Sequence, residues 1–195
     1  MIAIVDYEAG NIKSVTNALE RLGVEYTLTA DPDAIRAADK VILPGVGNAA
    51  AAMASLRAKG LEPVIRSLRQ PVLGICVGMQ LMCRRSEEGG VACMDIFDCE
   101  VKRFAPEPGI KVPHMGWNTL GNLSGKLFRG LSASPYVYFV HSYYAGLCPD
   151  TVATCRHGST MFSAALKYEN FYGTQFHPEK SGAIGETILK NYIAL

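Results

Sequence analysis

The stretch PVLGICVGMQLM, residues 71–82, decides how this chain folds. Its apolar run from Val72 to Ile75 predicts a buried strand, and the segment from Val77 to Arg85 has the composition of a helix. Cys76 therefore lies at the corner between a strand and a helix. Glycines two positions before and after it allow the two elements to approach closely, and a helix N-terminus favours a thiolate. The corner predicts an activated cysteine nucleophile.

Strand and helix patterns alternate around this corner. Before it, we expect strands at residues 1–5, 24–28 and 40–43, and helices at 14–22 and from a cap at Asn48 to 58. After residue 90, we expect strands at 97–104, 136–140, 152–156, 162–168 and 171–176, and a final helix at 182–194. This order predicts one α/β domain, residues 1–195, with a mixed, mainly parallel sheet and helices on both faces.

The composition argues against several classes of protein. The formal net charge is only +1, which does not predict nucleic-acid binding. The opening MIAIVDYEAGN has no basic leader, and the apolar runs are too short to span a bilayer, so a cytoplasmic location is expected. The six cysteines include no CxxC pair, so neither a metal site nor a disulfide is expected. Five of them are interpreted as small apolar fillers.

A thiolate that attacks an amide needs a general acid to protonate the departing amine. His177 follows the apolar segment FYGTQF and precedes Pro178 and Glu179. If the strand continues, residues 177 and 179 point to the same side, and Glu179 can orient the imidazole. Cys76 and His177 both follow strands, and the carboxyl ends of parallel strands meet at one edge of a sheet. The sequence thus predicts a Cys76, His177 and Glu179 triad.

Acyl transfer also needs N–H donors for the negative charge that develops on oxygen. One candidate is the N–H of Val77, which follows the nucleophile. The other is the loop PGVG at residues 44–47, where Val46 and Gly47 can turn a peptide group inward. PGVG can equally be a plain turn or a phosphate cradle, although it lacks the lysine of a P-loop.

The other motifs also have structural interpretations. A cysteine between two glycines is often a packing choice, and HPE after a strand is often a turn. His114, His141 and His157 are interpreted as satisfied or surface histidines, and Glu87 with Glu88 as a solvated pair. The occurrence of all the motifs at strand ends, in this order, favours the catalytic interpretation.

The segments GICVGMQ, residues 74–80, and QFHPEKS, residues 175–181, resemble the class I (triad) glutamine amidotransferases, and the match spans essentially the whole chain. Within that class, IVDYEAGN, PGVGN, PHMGWN and YFVHSYY are similar to the glutaminase subunits of imidazole glycerol phosphate synthase, an enzyme of histidine biosynthesis. The resemblance implies a three-layer, flavodoxin-like α/β fold. It also implies hydrolysis of glutamine to glutamate and ammonia through a thioester on Cys76, with no cofactor.

The resemblance implies further roles for the residues that match the family. Those implied to surround glutamine are Gln80, Glu88, Ser142 and Tyr143, with Glu88 facing the α-amino group. A separate cyclase subunit with a (β/α)8 barrel is the implied partner, in a heterodimer that passes ammonia between the subunits. The residues implied to contact it are Asn11, Met115, Trp117 and Lys180, although Trp117 can also simply pack under a loop. Glu8 departs from the pattern, since many relatives are expected to have glycine there.

Two other functions compete with this interpretation. One is a cysteine hydrolase or chaperone of the related elbow-cysteine group, acting on peptides or reactive carbonyls; Gln80 and the VHSY segment favour glutamine instead. The other is a binding subunit that keeps the fold without catalysis. Release of glutamate, and alkylation of Cys76 by a glutamine mimic, distinguish these alternatives.

Overall fold

The computed structural model of the protein describes residues 1–8 and 12–195. In chain order, its strands are β1 (Ile2–Val5), β2 (Tyr26–Thr29), β3 (Lys40–Leu43), β4 (Val72–Ile75), β5 (Arg85–Ser86), β6 (Val91–Ala92), β7 (Glu100–Arg103), β8 (His114–Thr119), β9 (Tyr136–His141), β10 (Tyr143–Ala145), β11 (Thr151–His157), β12 (Thr160–Tyr168) and β13 (Phe171–Thr174). Its α-helices are α1 (Ile12–Arg21), α2 (Pro32–Ala37), α3 (Ala49–Ala58), α4 (Leu61–Ser67), α5 (Val77–Gln80) and α6 (Gly182–Ile193). Short 3₁₀ helices lie at Glu88–Gly90, Lys126–Phe128 and Pro178–Lys180.

Among the described residues, seven strands form the main sheet, in the order β11-β12-β13-β4-β3-β1-β2. The strands from β13 to β2 are all parallel. At the other side of β13, β12 pairs antiparallel both with β13 and with the edge strand β11. The parallel part has the strand order of a flavodoxin-like sheet. The expected mixed, mainly parallel architecture is confirmed.

Helices cover both faces of this sheet. On one face α1 and α6 lie together, and Arg21 of α1 approaches Glu186 of α6 to 3.6 Å. On the other face α4 packs against both α2 and α3. Every residue of β1 and β4 is buried, which is expected for parallel strands with a layer on each side.

Side chains cap the starts of α2 and α3. The Asn48 side chain accepts a hydrogen bond from Ala51 N at 3.0 Å and caps α3. Asp31 does the same for α2, accepting from Asp33 N at 3.0 Å, with Pro32 in the first helical position. The predicted cap at Asn48 is confirmed, whereas α2 and α4 were not predicted.

The helix expected from Val77 to Arg85 is wrong in length, because α5 ends at Gln80. The following residues form backbone hydrogen bonds with a distant segment instead. Met94 N donates to the carbonyl of Leu81 at 2.8 Å, and Arg84 N donates to the carbonyl of Cys99 at 2.9 Å. These long-range bonds satisfy the backbone groups that a longer helix would have paired internally.

Two smaller sheets complete the fold. One has the order β10-β7-β5-β6, and the other pairs β8 with β9 in antiparallel register. The carboxyl end of β9 reaches the main sheet where β4 and β13 end, since His177 N donates to the carbonyl of Tyr138 at 2.9 Å. None of the helices in the described ranges combines the length and the apolar composition needed to cross a membrane.

Candidate active site

Cys76 occupies a strained corner between β4 and α5. Its φ is +53° and its ψ is −111°, in a region that a residue with a side chain rarely adopts. A Cβ on Gly74 would lie 2.7 Å from both Gly78 O and Met79 N, so only glycine allows β4 and α5 to come this close. The strand-to-helix elbow predicted from the spacing of the glycines is therefore present.

Gly78 is required by a different contact. A Cβ there would lie 2.0 Å from the carbonyl oxygen of Leu43, at the end of β3. Gly45 meets the same surface, because its Cβ would lie 2.3 Å from Gly78 N. The loop after β3 thus packs directly onto the first turn after the cysteine.

His177 reaches the same edge of the sheet because β13 is the parallel neighbour of β4. Ile75 is paired with Thr174, and Cys76 N donates to the carbonyl of Thr174 at 2.7 Å. His177 Nδ1 lies 2.8 Å from Glu179 Oε1, and both side chains are buried. The expected contact between residues 177 and 179 is present, but a 3₁₀ turn after the end of β13 makes it, not a continuing strand.

The neighbours of His177 favour the charged form of its imidazole. Burial lowers its pKa, but the interactions with Cys76 and Glu179 outweigh burial and raise the pKa to about 10. Because Nδ1 is engaged by Glu179, Nε2 is the atom left to interact with Cys76. Nε2 is buried and has no hydrogen-bond partner in the described part of the chain. The arrangement can therefore hold a proton next to a sulfur nucleophile.

Two further groups contact the sulfur. The thiol of Cys76 lies 3.8 Å from the carbonyl of Val140 in β9, and Gln175 Nε2 donates to Sγ at 3.6 Å. Gln175 is fully buried and lies two residues before His177. An N–H donor pointing at the sulfur stabilises a thiolate, because a hydrogen bond to a charged acceptor is stronger than one to a neutral acceptor.

The loop at residues 44–47 is fixed at both ends. The hydroxyl of Tyr7 donates to the carbonyl of Pro44, and a carboxylate oxygen of Glu88 accepts from Ala49 N at 2.7 Å. Between these anchors, Gly47 has a φ of +91° and open space around its Cβ position. The peptide between Val46 and Gly47 is thus the part of the loop with room to rotate.

A cavity of about 450 Å³ opens in front of Cys76. The sequence-predicted residues that line it are Val46, Gly47, Val77, Gln80, Glu88, Ser142, Tyr143 and Lys180. Burial raises the pKa of Glu88, while the N–H of Ala49 acts in the opposite direction. The structure therefore brings together the residues expected to hold a substrate and the residues expected to hold an oxyanion.

Of the described residues predicted to contact a partner, Lys180 lines this cavity, whereas Met115 and Trp117 do not. Met115 and Trp117 are on the outer face of β8, where they are 63% and 52% exposed. Trp117 contacts Tyr138 on the neighbouring strand with ring centroids 6.1 Å apart. Asn11 lies outside the described residues.

The three remaining histidines, which the sequence analysis interprets as satisfied or surface residues, form a buried or half-buried cluster. His114 Nδ1 lies 3.0 Å from His141 Nε2, and the rings of His114 and His157 stack with centroids 4.2 Å apart. His141 Nδ1 also lies 2.8 Å from the carbonyl of Tyr143. Burial lowers the pKa of His114 to about 4 and that of His141 to about 3, so both are neutral.

Sequence reasoning did not find Tyr7, Gln175 or His141 as part of the site. The strand expected at residues 171–176 offered one signal, since residue 175 would share a face with residue 177 if that strand continued. The contacts of Tyr7 and His141 join segments far apart in the chain and left no local pattern.

Comparison with known proteins agrees with this geometry. The family profile "Glutamine amidotransferase class-I" matches residues 3–194. The chain is 56% identical over 195 residues to imidazole glycerol phosphate synthase subunit HisH of Bacteroides thetaiotaomicron, covering 100% of this chain and 99% of that one. It is 46% identical over 196 residues to the protein of the same name from Escherichia coli K12, again covering 100% and 99%.

Two solved structures share the fold. One, described as a putative GMP synthase protein from Thermoplasma acidophilum, has a TM-score of 0.75 at 23% identity, over 99% of this chain and 92% of that one. Another, described as a glutamine amidotransferase, also has a TM-score of 0.75, at 18% identity, over 99% of this chain and 97% of that one.

Proposed function

Because this chain belongs to the class I glutamine amidotransferases, we propose that Cys76, His177 and Glu179 form the triad with which it hydrolyses glutamine. Its similarity to the HisH subunits along their whole length identifies it as the glutaminase subunit of imidazole glycerol phosphate synthase, in histidine biosynthesis. Residues 1–195 act as one amidotransferase domain. The observation that carries the triad is the buried contact of His177 Nδ1 with Glu179 Oε1, at the end of the strand that pairs in parallel with the one leading to Cys76.

In the first half of the reaction the Cys76 thiolate attacks the side-chain carbonyl carbon of glutamine. The C–N bond then breaks as His177 gives its proton to the departing nitrogen, leaving ammonia and a thioester on the sulfur. Glu179 holds Nδ1 of the ring, so that Nε2 carries the proton that is transferred.

In the second half, water attacks the thioester. The now neutral His177 accepts a proton from this water, the C–S bond breaks, and the electron pair returns to the sulfur of Cys76. Glutamate leaves, and the thiolate and imidazolium are regenerated. Glutamine and water are consumed, and glutamate and ammonia are formed, without any external oxidant or reductant.

The oxygen of each tetrahedral intermediate is stabilised by backbone N–H groups. Val77 supplies one at the start of α5, because the first N–H of a helix has no partner within the helix. The loop after β3 supplies the other when the peptide between Val46 and Gly47 turns its N–H inward. This peptide rotates between two orientations, so that glutaminase activity is low until the partner binds its own ligand. Equal hydrolysis rates for the free and partner-bound chain would contradict this control.

Glutamine binds in the cavity in front of Cys76. Glu88 has one oxygen engaged by Ala49 N and another available for the α-ammonium group of the substrate. Gln80, Ser142 and Tyr143 complete the walls of the cavity. A carboxylate at this depth favours an amino acid over a neutral peptide or an aldehyde, which argues against the related cysteine hydrolases.

The partner is a cyclase subunit with a (β/α)8 barrel, in a heterodimer. Ammonia is a nucleophile only when unprotonated, so it must pass to the acceptor without entering bulk water. Met115 and Trp117 expose large apolar side chains on the outer face of β8, and such side chains are typical of a surface that a partner covers. Asn11 and Lys180 are the other residues proposed at this interface, and the heterodimer acts in the cytoplasm.

The decisive test is Cys76→Ala in the complex with the cyclase. We expect glutamine-dependent synthesis to disappear and synthesis from added ammonium salt to remain. His177→Ala should be nearly as damaging, because general acid and base catalysis contributes about 10² to 10⁴ in rate. Glu179→Gln should cost less, since it only orients the imidazole.

Cys93→Ala is the matched control, because Cys93 is a buried cysteine whose thiol pKa burial raises to about 11. This variant should keep its glutaminase activity. Retained glutaminase activity in Cys76→Ala would rule out the mechanism, and a non-catalytic subunit would show no glutamate release from the unmodified chain.

A further inference from the structure

The side chain of Gln175 is buried beside the nucleophile and does not line the cavity. It is 0% exposed and contacts Gln80, which does line the cavity. Its Nε2 donates to Cys76 Sγ at 3.6 Å, and its Oε1 accepts from Gln80 Nε2 at 2.9 Å. A fully buried amide is costly unless both of its ends are paired, so these two contacts account for its presence in the core.

The direction of this amide is fixed by a backbone carbonyl. Gln80 Nε2 lies 2.9 Å from the carbonyl oxygen of Tyr143, which can only accept a hydrogen bond. The nitrogen of Gln80 therefore faces Tyr143, and its second N–H points to Gln175. Because that N–H needs an acceptor, the oxygen of Gln175 faces Gln80, and the nitrogen of Gln175 must face the sulfur.

The carbonyl of Tyr143 also accepts a hydrogen bond from the histidine cluster. His141 Nδ1 lies 2.8 Å from it, so Nδ1 carries the hydrogen and Nε2 accepts from His114 Nδ1 at 3.0 Å. His114 Nε2 in turn accepts from Asn118 Nδ2 at 3.1 Å. Since burial keeps both histidines neutral, each link has one donor and one acceptor.

We propose that Gln175 is a further catalytic residue, whose amide N–H stabilises the Cys76 thiolate in a direction set by Gln80 and the carbonyl of Tyr143. The proposal rests on the proposed function of Cys76 as nucleophile. The donor acts twice in the cycle. It favours the thiolate before attack, and it receives the returning charge when the C–S bond breaks and the electron pair goes back to the sulfur.

The test removes this donor with Gln175→Met. We expect the rate at which iodoacetamide alkylates Cys76 near neutral pH to fall about tenfold, and the midpoint of its pH profile to move up by about one unit, since one donor to a charged acceptor is removed. The kcat for glutamine should fall by about 10-fold to 100-fold, with KM changed by less than about threefold, because Gln175 does not line the cavity.

The pH profile isolates Gln175 because the other titratable groups around the sulfur stay in place. Those that interact with Cys76, or line its cavity, are His177, Tyr7, His141, Tyr143, Glu88 and Lys180, and Glu179 contacts His177. The matched control is Gln70→Met. Gln70 donates to the carbonyls of Ile35 at 3.0 Å and Arg36 at 3.3 Å. Gln70 precedes β4 and Cys76 follows β4, so the two residues lie at opposite ends of this strand. This variant should lose stability and keep the pH profile.

Gln175→Glu decides the matter if the methionine variant does not fold. A carboxylate still accepts from Gln80 but offers no donor to the sulfur, so we expect a shift in the same direction and at least as large. A folded variant with the pH profile and kcat of the unmodified chain would overturn the proposal, and so would failure of both variants to fold, since Gln175 would then be structural. If the unmodified chain itself were not alkylated at Cys76 by a glutamine-mimicking reagent, the proposed function would fail instead.

Discussion

Gly78→Ala tests how closely the elbow and the loop after β3 depend on each other. The added Cβ would lie 2.0 Å from the carbonyl oxygen of Leu43 and 2.9 Å from its carbonyl carbon. These are backbone atoms of a buried strand, which cannot rotate away as a flexible side chain can. Either α5 or the end of β3 must move by more than about 1 Å to restore an ordinary contact.

Both consequences of this movement can be measured. Overpacking of a buried site costs about 1 to 3 kcal/mol, which for a chain of this size lowers the Tm by about 2 to 12 °C. A shift of about 1 Å between Cys76 and the loop that bears Gly47 should reduce kcat for glutamine about 100-fold. We would measure the Tm by calorimetry and kcat by glutamate release in the complex with the cyclase.

Gly146→Ala is the matched control, because its Cβ would lie 3.8 Å from the carbonyl oxygen of Glu100, an ordinary contact. This variant should keep both the Tm and kcat within the error of measurement. If Gly78→Ala behaved like Gly146→Ala, the close approach of Gly78 to Leu43 would be wrong, and so would its role in positioning the nucleophile.

Two further predictions follow from the same site. Cys76 and Glu179 raise the pKa of His177 to about 10 although its burial lowers the pKa. The charged imidazole therefore stabilises the folded state fully below about pH 6.5, and this contribution is lost as the pH rises towards 10. The alkaline limb of glutaminase activity should therefore lie near pH 10; a limb near the ordinary histidine value would contradict this. Tyr7→Phe leaves the buried carbonyl of Pro44 without its donor, which should cost about 1 to 2 kcal/mol in urea unfolding and about tenfold in kcat for glutamine. Synthesis from ammonium salt should be unchanged in this variant, and an unaltered kcat would show that the hydroxyl does not position the loop.

The parallel part of the sheet and the elbow could be predicted because their signals are local. A buried strand, a tight turn and a helix start leave a readable pattern within about a dozen residues, as at residues 71–82. The position of Cys76 and His177 at one edge of the sheet follows from the rule that parallel strands end together. In the structure, the pairing of Ile75 with Thr174 places the ends of β4 and β13 side by side. The extent of α5 could not be read in this way, because the bond from Met94 N to the carbonyl of Leu81 forms only in the folded chain.

Glu8 departs from the expected pattern, and its backbone conformation explains why glycine is expected there. The sequence marks it as a position where glycine is expected in relatives, and its φ is +68°, in the left-handed region that favours glycine. Its carboxylate lies 3.3 Å from Lys59 Nζ. The backbone requirement explains the expected glycine, whereas the ion pair is visible only in the structure.

The sequence by itself determined which residues are candidates for catalysis, because a thiol, an imidazole and a carboxylate at the ends of apolar strands have few other uses in combination. The tertiary structure alone decided how those groups are held. The amide of Gln175, the carbonyl of Tyr143 and the neutral pair of His114 and His141 meet through contacts between distant segments. Hydrogen bonds of this kind depend on distance and direction in space, and neither is encoded in the spacing of residues along the chain.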